Sequence, residues 1–132
     1  MASIFTQIIQ GTIPGHIVAE HTQYLALLDI HPIARGHTLV IPKQEVDYVF
    51  DLDDSILSGL FVFAKRVALA IQQVVPCRRV GMAVVGLEVP HAHIHLVPIN
   101  STYDIDFSKP TLQLTQEELA TVAAQIKAAI QY

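Results

Sequence analysis

Residues 89–98 read VPHAHIHLVP, and three of the chain's seven histidines fall there at every second position: His91, His93 and His95. Alternation at a period of two marks an extended strand, whose successive side chains point to opposite faces. It puts the three imidazoles on one face and Ala92, Ile94 and Leu96 on the other. The small and aliphatic face belongs to a core. The imidazole face must line a site, because each ring brings two nitrogens that burial without partners would leave unsatisfied.

The neighbouring segments supply the rest of a sheet. HIVAE (16–20) and YLALLDI (24–30) are short aliphatic stretches separated by HTQ, the pattern of a hairpin. HPIARGH (31–37) turns the chain through Pro32 and Gly36 into a further strand, HTLVIP (37–42). RRVGMAVVG (78–86) leads through a short link into HAHIHLVPI (91–99), while YDIDFSKP (103–110) reads as a polar connection. Ser3 is placed to cap a short helix, IFTQIIQ (4–10), which Gly11 and Pro14 stop. Thr115 and Glu118 form a capping box for an Ala-rich closing helix, 115–130.

A long helix is predicted over 51–75, with Leu57, Leu60, Phe61, Ala64, Val67, Ala68, Ile71 and Val75 at helical steps as its core face. Its other side is not cleanly polar. Val62 and Leu69 interrupt the stripe of Ser58, Lys65, Arg66 and Gln73, while Ile56, Phe63 and Ala70 make a second row. A helix apolar on more than one side has more than one neighbour, which raises self-association as an expectation. Hairpin-like strand order with two substantial helices predicts an α+β fold with an antiparallel sheet rather than a parallel one.

Composition narrows the function. A chain of 132 residues fits one domain, 1–132. It is 52% hydrophobic and 15% charged, too apolar for a disordered chain, and lacks an unbroken apolar run of about 18 residues that would span a bilayer. A net charge of −4 offers no basic stripe for nucleic acid. Cys77 is the sole cysteine, which excludes an intrachain disulfide framework and a multi-cysteine zinc cluster. The opening MASIFTQIIQGTIP does not have the form of a secretory signal, so a cytoplasmic location is expected. Two chemistries suit three imidazoles on one face. One is a metal site with an open position for water; the other is nucleophilic attack on phosphorus by one imidazole while its neighbours orient it and contact phosphate oxygens.

HAHIHLVP (91–98) resembles the histidine-triad (HIT) motif, and LALLDIHPIARGHTLVIPK (25–43) resembles that family's other signature: an Asp after an apolar strand, a Pro-containing turn, Gly-His, an aliphatic strand and Pro-Lys. SIFTQIIQGTIP also resembles the family's start, so the likeness spans most of residues 3–98. It implies a nucleotide-binding hydrolase or transferase with a five-stranded antiparallel sheet, one long helix and a C-terminal helix. It also implies a homodimer sharing a ten-stranded sheet. By position His93 would be the nucleophile forming a nucleotidyl-histidine intermediate, with His95 and His91 flanking it and polarising the α-phosphate. His37 would stand behind the triad. Asp29 would bind the ribose, and Phe5, Ile8, Leu27 and Ile30 the base of a purine nucleotide. No cofactor and no metal are expected.

The chain departs from the family pattern before the triad. VVGLEVP (84–90) lacks the Asn and the Gly-Gln-Ser/Thr of well-studied members, and Glu88 stands at the hydroxyl position. A carboxylate there would repel phosphate unless protonated; protonated, it would serve as general acid for the leaving group. These losses keep a second reading in play, a nucleotide-binding or regulatory domain with little or no catalysis. Some branches hold a structural zinc through N-terminal cysteines and a histidine after Pro-Lys. Here those places fall in SIFTQ and at Glu45, and no such zinc is expected.

Overall fold

A computed structural model describes residues 2–132. The elements run α1 (Ile4–Ile9), β1 (Ile17–Glu20), β2 (Tyr24–Leu28), β3 (Thr38–Pro42), α2 (Asp54–Val74), β4 (Arg79–Ala83), β5 (Ile94–Ile99) and α3 (Gln116–Ala129), with short 3₁₀ turns at Val49–Asp51 and Thr102–Asp104. The strands form one five-stranded sheet in the order β1-β2-β3-β5-β4, and every neighbouring pair is antiparallel. The fold is α+β, as the strand pattern predicts. None of the described helices is long and apolar enough to cross a membrane.

The period of two divides the sheet into two apolar layers. Tyr24, Ala26, Leu28, Val40, Ile94 and Leu96 face α2 and α3, where Leu60, Phe63, Ala64, Val67, Ile71, Leu119, Val122 and Ile126 close over them. Leu25, Leu27, Leu39 and Ile41 face the other way and pack with Phe5, Ile8 and Ile9 of α1. This second layer is small. It leaves the rest of that sheet face to His37, His93 and His95.

Caps and turns follow the local chemistry. Ser3 Oγ accepts the Thr6 amide at the start of α1, and the Thr115–Glu118 capping box opens α3. Gly36 has φ +92° in the turn before β3, backbone that a side chain rarely adopts. Gly59 is required by proximity instead: a Cβ there would run into the phenol of Tyr24, which donates to the Ile56 carbonyl at 3.0 Å.

Two sequence expectations are corrected. The long helix is rotated from the predicted phase, for Phe61 is 39% exposed while Phe63 and Ala70 are buried in the core. A helix apolar on several sides does not disclose which one meets the sheet. The histidine strand is also shorter than 91–99, since the β5 ladder begins only at Ile94. Opposite it, β4 ends at Ala83, paired with His95, and β3 pairs no further along it than Val40 with Ile94. Ahead of the ladder the Ala92 amide donates instead to the Val46 carbonyl at 2.7 Å. The in-out alternation survives: Ala92, Ile94 and Leu96 are buried in the helix-side core.

Candidate active site

The end of β2, the start of β3 and the start of β5 lie side by side. Asp29 follows β2 and its amide donates to the His37 carbonyl at 3.0 Å, while Leu39 and His95 are partners across β3 and β5. Three polar side chains from three segments thereby converge. His37 Nε2 lies 3.0 Å from His95 Nδ1 and 3.6 Å from Asp29 Oδ2. The Phe107 ring covers the group, its centroid 4.6 Å from that of His95.

Hydrogen-bond partners fix the imidazole tautomers. The Ile33 amide donates to His37 Nδ1 at 3.1 Å, so the His37 proton is on Nε2 and is donated to His95 Nδ1. His95 therefore carries its own proton on Nε2. His93 Nδ1 donates to the His91 carbonyl at 2.7 Å, which leaves the Nε2 lone pair free. The His93 and His95 rings stand edge to face with centroids 4.9 Å apart. The pair presents a nucleophilic nitrogen and, beside it, an N–H donor.

Burial keeps the donors neutral. It lowers the pKa of both His37 and His95 to about 4, with neighbouring imidazoles adding to the effect. The contact between His37 and Asp29 is thus not an ion pair near neutral pH. Stability should respond with a definite sign. The folded chain resists protonation that the unfolded chain accepts below its ordinary value of about 6.5, so stability is full above that pH and falls between about 6.5 and about 4. Urea midpoints measured across this window should decline as pH drops, and less steeply in His37→Phe.

His91 is placed differently from its expected role beside the α-phosphate. It is fully buried, and both ring nitrogens are taken by protein: Nε2 donates to the Pro42 carbonyl at 2.7 Å and Nδ1 accepts from Ser3 Oγ at 2.7 Å. No ring nitrogen remains for a phosphate oxygen. His91 instead supplies the carbonyl that orients His93.

The other sequence candidates divide. Phe5 stacks edge to face on His91 and His93 at 5.7 and 5.1 Å, and Leu27 and Ile8 join it in the small layer beside the triad. Asp29 is partly buried and accepts from the His31 amide at 2.9 Å. Ile30 is 52% exposed, just beyond the strand end. Glu88 is exposed on the connection between β4 and β5 and makes no hydrogen bond among the described residues. A cleft of about 180 Å³ borders His93, walled by Tyr48, Phe50, Val84, Val85 and Gly86 with Asp47 at its edge.

Two groups escaped the sequence reading. Phe107 sits in a stretch read as a polar connection, where an aromatic flanked by Asp106, Ser108 and Lys109 was the only signal. Ser3 was read as a helix cap, and the SIFTQ stretch with Glu45 only as the place of absent zinc ligands, yet Ser3, Thr6 and Glu45 form a hydrogen-bonded cluster with His91. For a cation, the set that converges is not the triad but Asp29, His37 and His95, whose ligand atoms lie within 4.8 Å of one another.

A family model described as the HIT domain matches residues 10–102. The chain belongs to the HIT family. The adenosine 5'-monophosphoramidase of Schizosaccharomyces pombe is 30% identical over 132 residues, 98% of this chain and 99% of that protein. Among solved structures, a HIT-like protein described as involved in cell-cycle regulation from Bartonella henselae superposes with a TM-score of 0.84 at 27% identity, covering 97% of this chain and 96% of its own. A zinc-bound histidine triad family protein from Mycobacterium smegmatis gives a TM-score of 0.81 at 26% identity, covering 98% and 93%. Both the fold and the family thus agree with the resemblance carried by residues 25–43 and 91–98.

Proposed function

We propose that this single HIT-like domain, residues 1–132, hydrolyses a purine nucleoside phosphoramidate or a related nucleotidyl substrate, releasing the nucleoside monophosphate through an intermediate on His93. The observation that carries the reading is the tautomer of His93, whose Nδ1–H is engaged by the His91 carbonyl so that Nε2 is free to attack. In the first step Nε2 bonds to the α-phosphorus, the phosphorus–nitrogen bond of the substrate breaks, and the leaving amine takes a proton from solvent. In the second, water bonds to the phosphorus, the bond to His93 breaks and restores its lone pair, and the proton lost by the water returns to solvent. His95 Nε2–H donates to a phosphate oxygen as charge builds there. Asp29 accepts from the ribose hydroxyls, and Phe5, Ile8, Leu27 and Ile30 border the base. No metal and no cofactor enter these steps, and the cytoplasm is the proposed location.

Incubating the protein with an adenosine alkylphosphoramidate and following AMP tests this directly. Steady release of AMP supports it. Tight AMP binding in calorimetry with no release from any phosphoramidate would favour the alternative, a nucleotide-binding or regulatory domain, for which the exposure of Glu88 to solvent speaks.

We also propose a homodimer. Phe61, Val62 and Leu69 on α2 and Met82 on the edge strand β4 are exposed, at 39, 52, 51 and 44%, and a second copy joined along that edge would make the sheet ten-stranded while covering the helix. Sedimentation equilibrium should give twice the chain mass for the wild type and the single-chain mass for Leu69→Glu. A wild type that stays monomeric at high concentration contradicts the dimer.

A further inference from the structure

The hydrogen bonds that lead into His91 begin at a carboxylate outside the triad. Glu45 lies on the loop after β3, and its Oε1 accepts from the Ser3 amide at 2.7 Å and from the Thr6 hydroxyl at 2.6 Å. Ser3 Oγ accepts the Thr6 amide at 3.1 Å and lies 2.7 Å from His91 Nδ1. His91 then donates from Nε2 to Pro42 and offers its carbonyl to His93 Nδ1, each at 2.7 Å. An ionised carboxylate only accepts, so it sets the direction of the Thr6 bond at one end, while the Pro42 carbonyl, also an acceptor only, holds the His91 proton on Nε2 at the other. The Thr6 hydroxyl proton is committed to Glu45, the Ser3 hydroxyl proton is left for His91, and His91 must keep its own proton on Nε2.

Thr6 is the competitor that Glu45 holds off. Its Oγ1 lies 3.4 Å from His91 Nδ1 and 3.2 Å from Ser3 Oγ, so without an acceptor at Glu45 its hydroxyl is free to turn toward either. The Ser3 amide would also lose its partner at the very start of α1, the helix that holds Phe5 against the His91 and His93 rings. The carboxylate is well suited to the task. Hydrogen bonds from Thr6 and Ser3 lower its pKa to about 2, which keeps it ionised across the range in which histidine works.

We infer that Glu45 is a positioning residue for the reaction: through Ser3 and His91 it fixes the carbonyl that holds His93 with its Nε2 lone pair toward substrate. The inference rests on the proposed chemistry at His93. It adds a role for a loop carboxylate and for the N-terminal helix cap, neither of which touches the substrate.

The expected signature lies in turnover rather than in binding. Glu45→Ala should lower kcat for the adenosine alkylphosphoramidate about tenfold or more, with KM changed little, since small misplacements of a reacting group are costly. Glu45→Gln keeps an acceptor oxygen but adds a donor that reverses the direction of the chain in one amide rotamer, so it should fall between the two. Ser3→Ala should match Glu45→Ala, and the double variant should be no worse than either single one, because both break one chain. In nitrogen-15 NMR the wild-type His93 should be the Nδ1–H form, with the Nε2–H form emerging in Glu45→Ala. Additive losses, or a raised KM with kcat intact, would reduce Glu45 to an anchor for α1 and overturn the inference. An unchanged His93 tautomer in Glu45→Ala overturns it as well. That spectrum decides the matter even if the wild type released no AMP, an outcome that would sink the chemistry at His93 separately.

Discussion

His93→Ala is expected to reduce AMP release from an adenosine phosphoramidate by a factor on the order of 10⁴, while leaving AMP affinity within a few fold. Removal of a covalent nucleophile closes the two-step route. On the proposed roles of Asp29 and His95, which would still hold the substrate, what remains is the slower attack of water. The ring is 6% exposed and its carbonyl partner belongs to the backbone, so the truncation strands no buried side-chain group. His95→Ala should behave differently, since it removes a donor to the phosphate and leaves His37 Nε2–H without its acceptor at 3.0 Å. Its loss should be smaller in rate and larger in stability. Comparing the two variants by AMP release and by urea denaturation separates nucleophile from donor.

Leu60→Ala should cost about 3 kcal/mol of stability, within the usual range of about 2–5 for a buried leucine, and leave kcat and KM of the surviving folded protein unchanged. Leu60 is fully buried on α2, in the layer that Tyr24, Val40, Ile94 and Leu96 complete from the sheet. The cavity left by truncation has little room to collapse. On one side the sheet is fixed by its ladder, and next along the helix Gly59 is already in close approach to Tyr24. Chemical denaturation gives the free energy, and activity assayed well below the midpoint gives the kinetics. A loss below about 1 kcal/mol would mean that the helix shifts to refill the space.

Much of this arrangement was legible in the sequence because it depends on neighbours along the chain. The period of two in HAHIHL sorts imidazoles from core whether or not each residue is in the ladder, so the site face was readable although β5 starts only at Ile94. The turn through Gly36 and the caps at Ser3 and Thr115 are local chemistry and appear where expected. The phase of α2 was readable only in part: Leu60, Ala64, Val67, Ile71 and Val75 are buried as expected, but Phe61 and Phe63 are equally apolar and only the sheet decides which is covered. The role of His91 depends on Ser3, 88 residues away, and on Pro42, 49 residues away. No spacing rule connects those positions. The same distance hid the cluster at Glu45, where each member read singly is an ordinary cap or loop residue.

The route through His93 is tested most directly by intact-mass analysis of the wild type mixed with an adenosine alkylphosphoramidate and quenched at alkaline pH within a turnover, where a phosphorus–imidazole bond survives. A fraction of the protein heavier by one adenylyl group, on a peptide containing His93 and absent from His93→Ala, is the predicted result. AMP accumulating while the protein mass never changes, with release persisting in His93→Ala, would show that water attacks the substrate directly and that the free Nε2 of His93 is not the nucleophile.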